Sequence, residues 1–294
     1  MKYFLFKSAL ALMNALPLRV VHGLGSLIGQ IAWLTNGDTR HTVETNLRLC
    51  FPELDPEDRD TLAKQALAEA GKTILEGGKM WRGNPDELLA LITSCDGESL
   101  IDEARRQDRG VILAVPHCGC WEIVSIYLAK HYPMTGMFKA RNRPGFDELV
   151  RDARQRMGAR LVPTDASGIR AMGKALRKRE LVALMPDQTP TGQGEFADFF
   201  GHPAYTMTLL PRLAKSSKAV VLFAFAKRLP GSEGYQLIVR QAEQDIATLE
   251  VGPALEAINA SLADLIREAP EQYWWLYKRF KKQPDGYPPV YDPD

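Results

Sequence analysis

The chain has little cysteine, almost no net charge and no long uninterrupted apolar run. Four cysteines in 294 residues, Cys50, Cys95, Cys118 and Cys120, are too few and too scattered for a disulfide framework, which points to a reducing compartment. A net charge of +1 sets up no global field that would draw nucleic acid. The most apolar early stretch, Val20 to Leu34, is about fifteen residues long and rich in glycine, short of the ~18–20 that a spanning helix needs. No repeat, low-complexity tract or interdomain linker interrupts the remainder, so 45% hydrophobic and 25% charged residues fit one globular domain with ample core.

What is present begins with an apolar N-terminus. Lys2 and Lys7 precede an apolar run, as in a signal peptide, yet Pro17, Arg19 and His22 divide it and no small-residue cleavage site follows. The expectation is an uncleaved membrane-associated hairpin or amphipathic anchor over residues 1–35, followed by one domain over 36–294. A single span and a buried helix pair are the alternatives. In each case Lys2, Lys7, Arg19 and Arg40 would lie on the cytoplasmic side or among head groups.

The rest of the chain is organised around Val111-Ile-Leu-Ala-Val-Pro-His117-Cys-Gly-Cys-Trp-Glu122. A short apolar β-favouring run stops at Pro116, and helical spacing follows through Trp121, Val124 and Leu128. Strand, turn and helix place His117 on the turn and Glu122 in the first helical turn, where the two could meet. In that reading Nε2 takes a proton from a substrate hydroxyl, Glu122 holds the other ring N–H, and the N–H groups of Gly119 and Cys120 face a developing oxyanion. The bland alternative is a core or capping histidine. Zinc is disfavoured because His-Cys and Cys-x-Cys do not match the usual spaced ligand pairs. A Cys118 nucleophile is disfavoured because sequence neighbours on a turn rarely point at each other.

Two further predicted strands, Met134 to Phe138 and Leu181 to Met185, alternate with predicted helices over Phe146 to Met157 and Ile169 to Lys178. That alternation implies an α/β layered fold with a mostly parallel central sheet flanked by helices, whose ligands gather at the carboxyl ends of the strands. His117 and Asp187 both fall at such ends; Asp187 either caps the chain or orients a basic residue or a substrate hydroxyl. Residues 188–205 read as a Gly/Pro-rich loop whose Phe196, Phe199 and Phe200 either plug the core or line an apolar site. Residues 139–179 hold twelve Lys/Arg against four acids, a net +8 that leaves −7 for everything else. Phosphorylated lipid head groups, an anionic membrane and an acidic carrier protein would each be drawn to such a face, and charge alone does not separate them. The aromatic, basic run Tyr273 to Lys282 reads as core plus rim or as a lipid interface.

Five blocks in order make the chain resemble the late acyltransferases of lipid A biosynthesis, the lauroyl/myristoyl transferase family of Gram-negative bacteria. That family is itself similar to the glycerolphosphate acyltransferase superfamily with its His-x4-Asp/Glu motif. The blocks are Asn46-Leu-Arg-Leu-Cys-Phe-Pro-Glu53, His117-x4-Glu122, the basic segment Lys139 to Arg156, Pro186-Asp187 with Phe199-Phe-Gly201 and Pro203-Ala204, and Pro270 to Lys281. The resemblance implies a glycerolphosphate-acyltransferase-like fold with N-terminal membrane-associated helices, at the cytoplasmic face of the bacterial inner membrane. It implies transfer of a fatty acyl group from an acyl carrier protein thioester onto a hydroxyl of a phosphorylated or glyco-lipid acceptor. No metal, no cofactor, no covalent acyl-enzyme and no nucleic-acid partner is implied. His117 and Glu122 become the expected catalytic pair. Lys139, Arg154 and Arg156, with Arg141 and Arg143 nearby and Asp187, become the expected substrate-binding residues. Some members carry Asp-x-Asp where this chain has Asp187-Gln-Thr189, which keeps open a different acceptor, such as an ornithine lipid, a glycolipid or a pigment precursor. The Arg and Glu-Gly-Thr-Arg motifs of glycerolphosphate acyltransferases are absent, which argues against lysophosphatidic acid. A non-catalytic lipid-binding membrane protein is the reading from another class.

Overall fold

The apolar run that opens the His117 stretch is the middle strand of a seven-stranded sheet. A computed structural model describes residues 2–139 and 144–291. Helices Lys2–Ala15 (α1), Leu18–Leu34 (α2), Asp38–Cys50 (α3), Pro56–Arg82 (α4) and Pro85–Leu89 (α5) precede the first strand, Ile92–Asp96 (β1). Ser99–Arg106 (α6), Val111–Ala114 (β2), Trp121–His131 (α7), Met134–Met137 (β3), Pro144–Arg156 (α8), Arg160–Val162 (β4), Ala166–Arg177 (α9) and Leu181–Leu184 (β5) follow in alternation. Gly194–Phe199 (β6) and His202–Met207 (β7) make a separate hairpin. Leu209–Ser217 (α10), Val220–Arg228 (β8), Tyr235–Gln241 (β9) and Val251–Arg267 (α11) complete the regular elements.

The sheet order is β1-β9-β8-β2-β5-β3-β4, and every pair is parallel except β8 with β9. The expected α/β architecture with a mostly parallel sheet is therefore present. All four residues of β2 are buried, as a strand covered by helices on both faces requires. One core layer joins α3, α9, α10 and α11 to the sheet; the other joins α6 and α7. The stretch read as a loop over 188–205 contains the β6–β7 hairpin, and it plugs the core: Phe199 is buried and stacks edge-on against the half-buried Phe200.

The apolar N-terminus forms two helices broken at Pro17, and both α1 and α2 are laid against α4. The glycines of α2 belong to that contact. A Cβ on Gly25 would stand 2.5 Å from the Lys72 backbone, and one on Gly29 would stand 2.4 Å from the Leu67 carbonyl, so the helices touch backbone to backbone. The opposite side of α2 leaves Val20, Leu24, Leu27, Ile28, Ile31 and Leu34 exposed in a stripe at helical spacing. No helix among the described residues is long and apolar enough to cross a membrane.

Candidate active site

Strand register brings the chemistry together. Ala114 of β2 pairs with Leu184 of β5, and three residues beyond each strand end stand His117 and Asp187. The Asp187 carboxylate accepts from His117 twice, at 2.8 Å from the backbone N–H and at 2.9 Å from Nδ1 of the ring. Asp187 is 1% exposed, and the imidazole keeps 20% of its surface open. Burial pushes the Asp187 carboxyl up, but the charge and hydrogen bonds of His117 more than offset it and hold the group below the usual carboxylate range. An ionised Asp187 only accepts, so Nδ1 is a donor, and in the neutral imidazole the free lone pair is on Nε2. Trp121 lies edge-on to the imidazole at 5.1 Å, and Trp274 lies edge-on to Trp121.

Glu122 stands elsewhere than expected. The ring N–H is held by Asp187, and the Glu122 carboxylate is gripped by the Arg154 guanidinium, from Nε at 3.0 Å and Nη2 at 2.5 Å. The planar fork of arginine matches a carboxylate bidentately, which a single imidazole N–H cannot, so the pair locks the start of α7 to α8. Replacing Arg154 with alanine is expected to destabilise the protein by about 2 kcal/mol, since it strips a charged hydrogen-bond partner from a half-buried carboxylate. Urea unfolding measures the loss. A charge-swapped Glu122→Arg/Arg154→Glu protein that recovers part of it identifies the pair as the cause.

The remaining expected residues have other contacts or lie outside the described residues. Lys139 is exposed and its Nζ meets Thr191 Oγ1 at 3.3 Å, in the loop that follows Asp187. Arg156 is exposed, with Nη2 3.3 Å from the Trp81 carbonyl at the end of α4. Arg141 and Arg143 lie outside the described residues. Asp187 faces His117 and is sealed from solvent, so its geometry is that of a residue positioning the imidazole. Cys118 and Cys120 are enclosed, and burial pushes both thiols up, which leaves them protonated.

The turn between strand and helix is fastened at every step. Gly119 has φ +58°, and a Cβ there would lie 1.9 Å from the Ala226 carbonyl. Its N–H donates to the Gln272 carbonyl at 2.9 Å, and the Cys120 N–H donates to the Ala226 carbonyl at 3.0 Å. These two donors, read from sequence as oxyanion ligands, are thus committed to holding the turn. Trp274 N–H donates to the His117 carbonyl at 2.8 Å, and Asn46 Nδ2 holds the Trp275 and Tyr277 carbonyls. The aromatic run after Pro270 and the block around Asn46 are therefore structural supports of the His117 turn.

Sequence reasoning missed the buried charges beneath that turn. Arg228, 4% exposed, donates from Nη2 to the Gly119 carbonyl at 3.0 Å. Glu76 accepts from Arg228 Nε and Nη2 at 2.8 and 2.7 Å, from Tyr235 Oη at 2.8 Å, and lies 2.7 Å from His22 Nε2. Glu69 and Thr73 complete the shell around the guanidinium. The available signal was Glu76 itself: it continues the stripe of buried positions Ala66, Ala70 and Met80 along α4, where an unpaired acid would be untenable.

An imidazole fixed through one nitrogen to a buried carboxylate, at the carboxyl edge of a parallel α/β sheet, has the geometry of a base and its orienting partner, an arrangement of the enzyme class. The particular enzyme class follows from comparison. The chain belongs to the bacterial lipid A biosynthesis acyltransferase family, whose model matches residues 1–282, and it is an acyltransferase. It is similar to the lipid A biosynthesis lauroyltransferase of Escherichia coli K12, with 30% identity over 94% of this chain and 90% of that one. The palmitoleoyltransferase of the same strain is 27% identical over the same shares, and the myristoyltransferase is 26% identical over 88% and 80%.

Proposed function

We propose that this acyltransferase moves a fatty acyl chain from an acyl carrier protein thioester to a hydroxyl of a Kdo-bearing lipid A precursor or a closely related lipid, at the cytoplasmic face of the inner membrane. The observation that carries the reading is the His117–Asp187 pair in a chain of this family. Nε2 of His117 takes the proton of the acceptor hydroxyl as its oxygen attacks the thioester carbonyl carbon. The imidazolium that forms is stabilised by Asp187. Collapse of the tetrahedral adduct breaks the carbon–sulfur bond, and the proton passes from His117 to the departing thiolate, which leaves as the carrier thiol. One ester replaces one thioester and the histidine is regenerated.

The membrane part of the reading rests on the exposed apolar stripe of α2 with Arg19 beside it, the pattern of a helix that lies in an interface plane. The purified protein, given a labelled acyl carrier thioester and the Kdo-bearing precursor, is expected to add one acyl mass to the precursor, read by mass spectrometry. A strain lacking the protein is expected to make lipid A short of one chain. Unchanged lipid A in that strain, together with no transfer in vitro, would exclude this acceptor.

A further inference from the structure

We infer that the outer face of α9 is the docking surface for an acidic carrier protein that delivers the acyl group, an inference that rests on the carrier-thioester reading above. Arg170, Lys174, Arg177 and the C-cap Lys178 stand at i, i+4, i+7 and i+8, a single stripe along one side of a helix that contains no acid. All four are exposed, as is Arg160 on the adjoining edge strand β4. Among the described residues none of these five has an ion-pair partner, although neighbouring cations do: Arg154 pairs with Glu122, Arg179 with Asp108 and Arg151 with Asp152. Like charges at i and i+4 repel and weaken a helix, so the stripe is held at the expense of stability.

One end of α9 lies at the edge that bears His117. The strands β4, β3, β5 and β2 run parallel, so the end of β4 at Val162 lies at the sheet edge that bears His117 and Asp187. The first turn of α9, capped by Asp165, begins four residues beyond that end. From there the stripe runs back, from Arg170 one turn in to Lys178 just before the start of β5, so a carrier lying along α9 reaches the base by extending its thioester arm past the first turn of the helix.

The helix chemistry favours a soluble acidic partner over lipid. A helix that binds a bilayer needs bulky apolar side chains beneath its cations. Here those side chains, Met172, Ala175 and Leu176, are buried against the sheet, and Ile169 is the one large apolar side chain exposed on α9. The apolar stripe suited to lipid is on α2, which packs on α4, whereas α9 packs on β3, β4, β5 and α10. The two surfaces divide the work: α2 meets the lipid and α9 meets the carrier.

The test uses the full chain in detergent, with His117→Ala as background so that bound acyl carrier is not consumed. Fluorescently labelled acyl carrier protein is expected to bind, with an affinity that weakens steeply as salt is added. The triple reversal Arg170→Glu/Lys174→Glu/Arg177→Glu is expected to raise Kd about tenfold or more and to flatten the salt dependence. With His117 present, the same reversal is expected to raise KM for the acyl carrier while kcat at saturation holds. A Kd within twofold of the unreversed protein would overturn the proposal. So would loss of flotation on anionic vesicles with carrier affinity intact, which would make α9 a lipid-facing helix. If the unreversed protein binds no carrier yet turns over another acyl thioester through His117, the donor reading fails and the docking surface with it.

Discussion

Replacing His117 with alanine is expected to lower acyl transfer by about 10²–10⁴-fold, the span of a general base, with KM for donor and acceptor little changed. Initial rates with purified protein measure it, and normal turnover by the alanine variant would remove His117 from the mechanism. Asp187→Asn is the sharper companion. The amide keeps the size of the carboxylate and its oxygen still accepts the His117 backbone N–H, now at 2.8 Å. Its NH2 group then faces Nδ1, which becomes an acceptor, and the ring proton moves to Nε2. A base protonated at its working nitrogen cannot take a substrate proton, so Asp187→Asn is expected to approach the loss seen for His117→Ala while retaining a cooperative melt. Full activity in Asp187→Asn would reduce Asp187 to a cap on the turn.

Glu76→Ala is expected to carry the largest loss of stability, about 3–5 kcal/mol, because it leaves the Arg228 guanidinium buried beside fewer compensating groups. A fall in Tm on the order of 10 °C follows for a protein of this size, read by differential scanning calorimetry. The double change Glu76→Leu/Arg228→Met removes both charges and is expected to melt above Glu76→Ala. A single variant as stable as the parent would show that the network contributes nothing.

The same network sets a pH dependence. Burial raises the Glu76 carboxyl, but Arg228 and His22 outweigh it and hold the group well below the usual 4.5. A depressed folded value means that the unfolded chain binds the proton more tightly. The stabilisation is therefore complete above about pH 5 and declines as pH falls through 4.5 toward the lower folded value. Asp187 adds in the same direction. In Glu76→Gln the fall of Tm with acid is expected to be shallower than in the parent over that window.

Local pattern made much of the fold legible. The apolar runs at 111 and 181 became β2 and β5, and the periodic segments after 146 and 169 became α8 and α9. β1, with the sequence Ile-Thr-Ser-Cys-Asp at the sheet edge, has too little apolar content to announce itself. The β6–β7 hairpin was hidden among glycine and proline that also suit a loop. At the site, the base was legible and its partner was not. Glu122 is near in sequence, whereas Asp187 is near only through the register of neighbouring strands. One clue was on the page: Leu-Ala-Val-Pro-His117 and Ala-Leu-Met-Pro-Asp187 have the same form, an apolar run, proline, then a polar group. Strands that end alike and lie side by side present their terminal side chains to each other. The Glu122–Arg154 pair and the Arg228 network join residues far apart in sequence, and side-chain spacing does not encode such contacts.

The hydrogen bonds that the His117 turn gives to the Gln272 carbonyl and accepts from the Trp274 N–H also bear on when the fold around the turn is complete. The sheet strands that flank the turn are synthesised long before the segment that fastens it, and closing so long a loop contributes nothing until both ends are present. A chain still on the ribosome, with β2 and β5 made but residues 270–275 not yet emerged, carries His117 without its seat. Competence therefore arrives late in synthesis, only once the chain has reached the segment that seats the base.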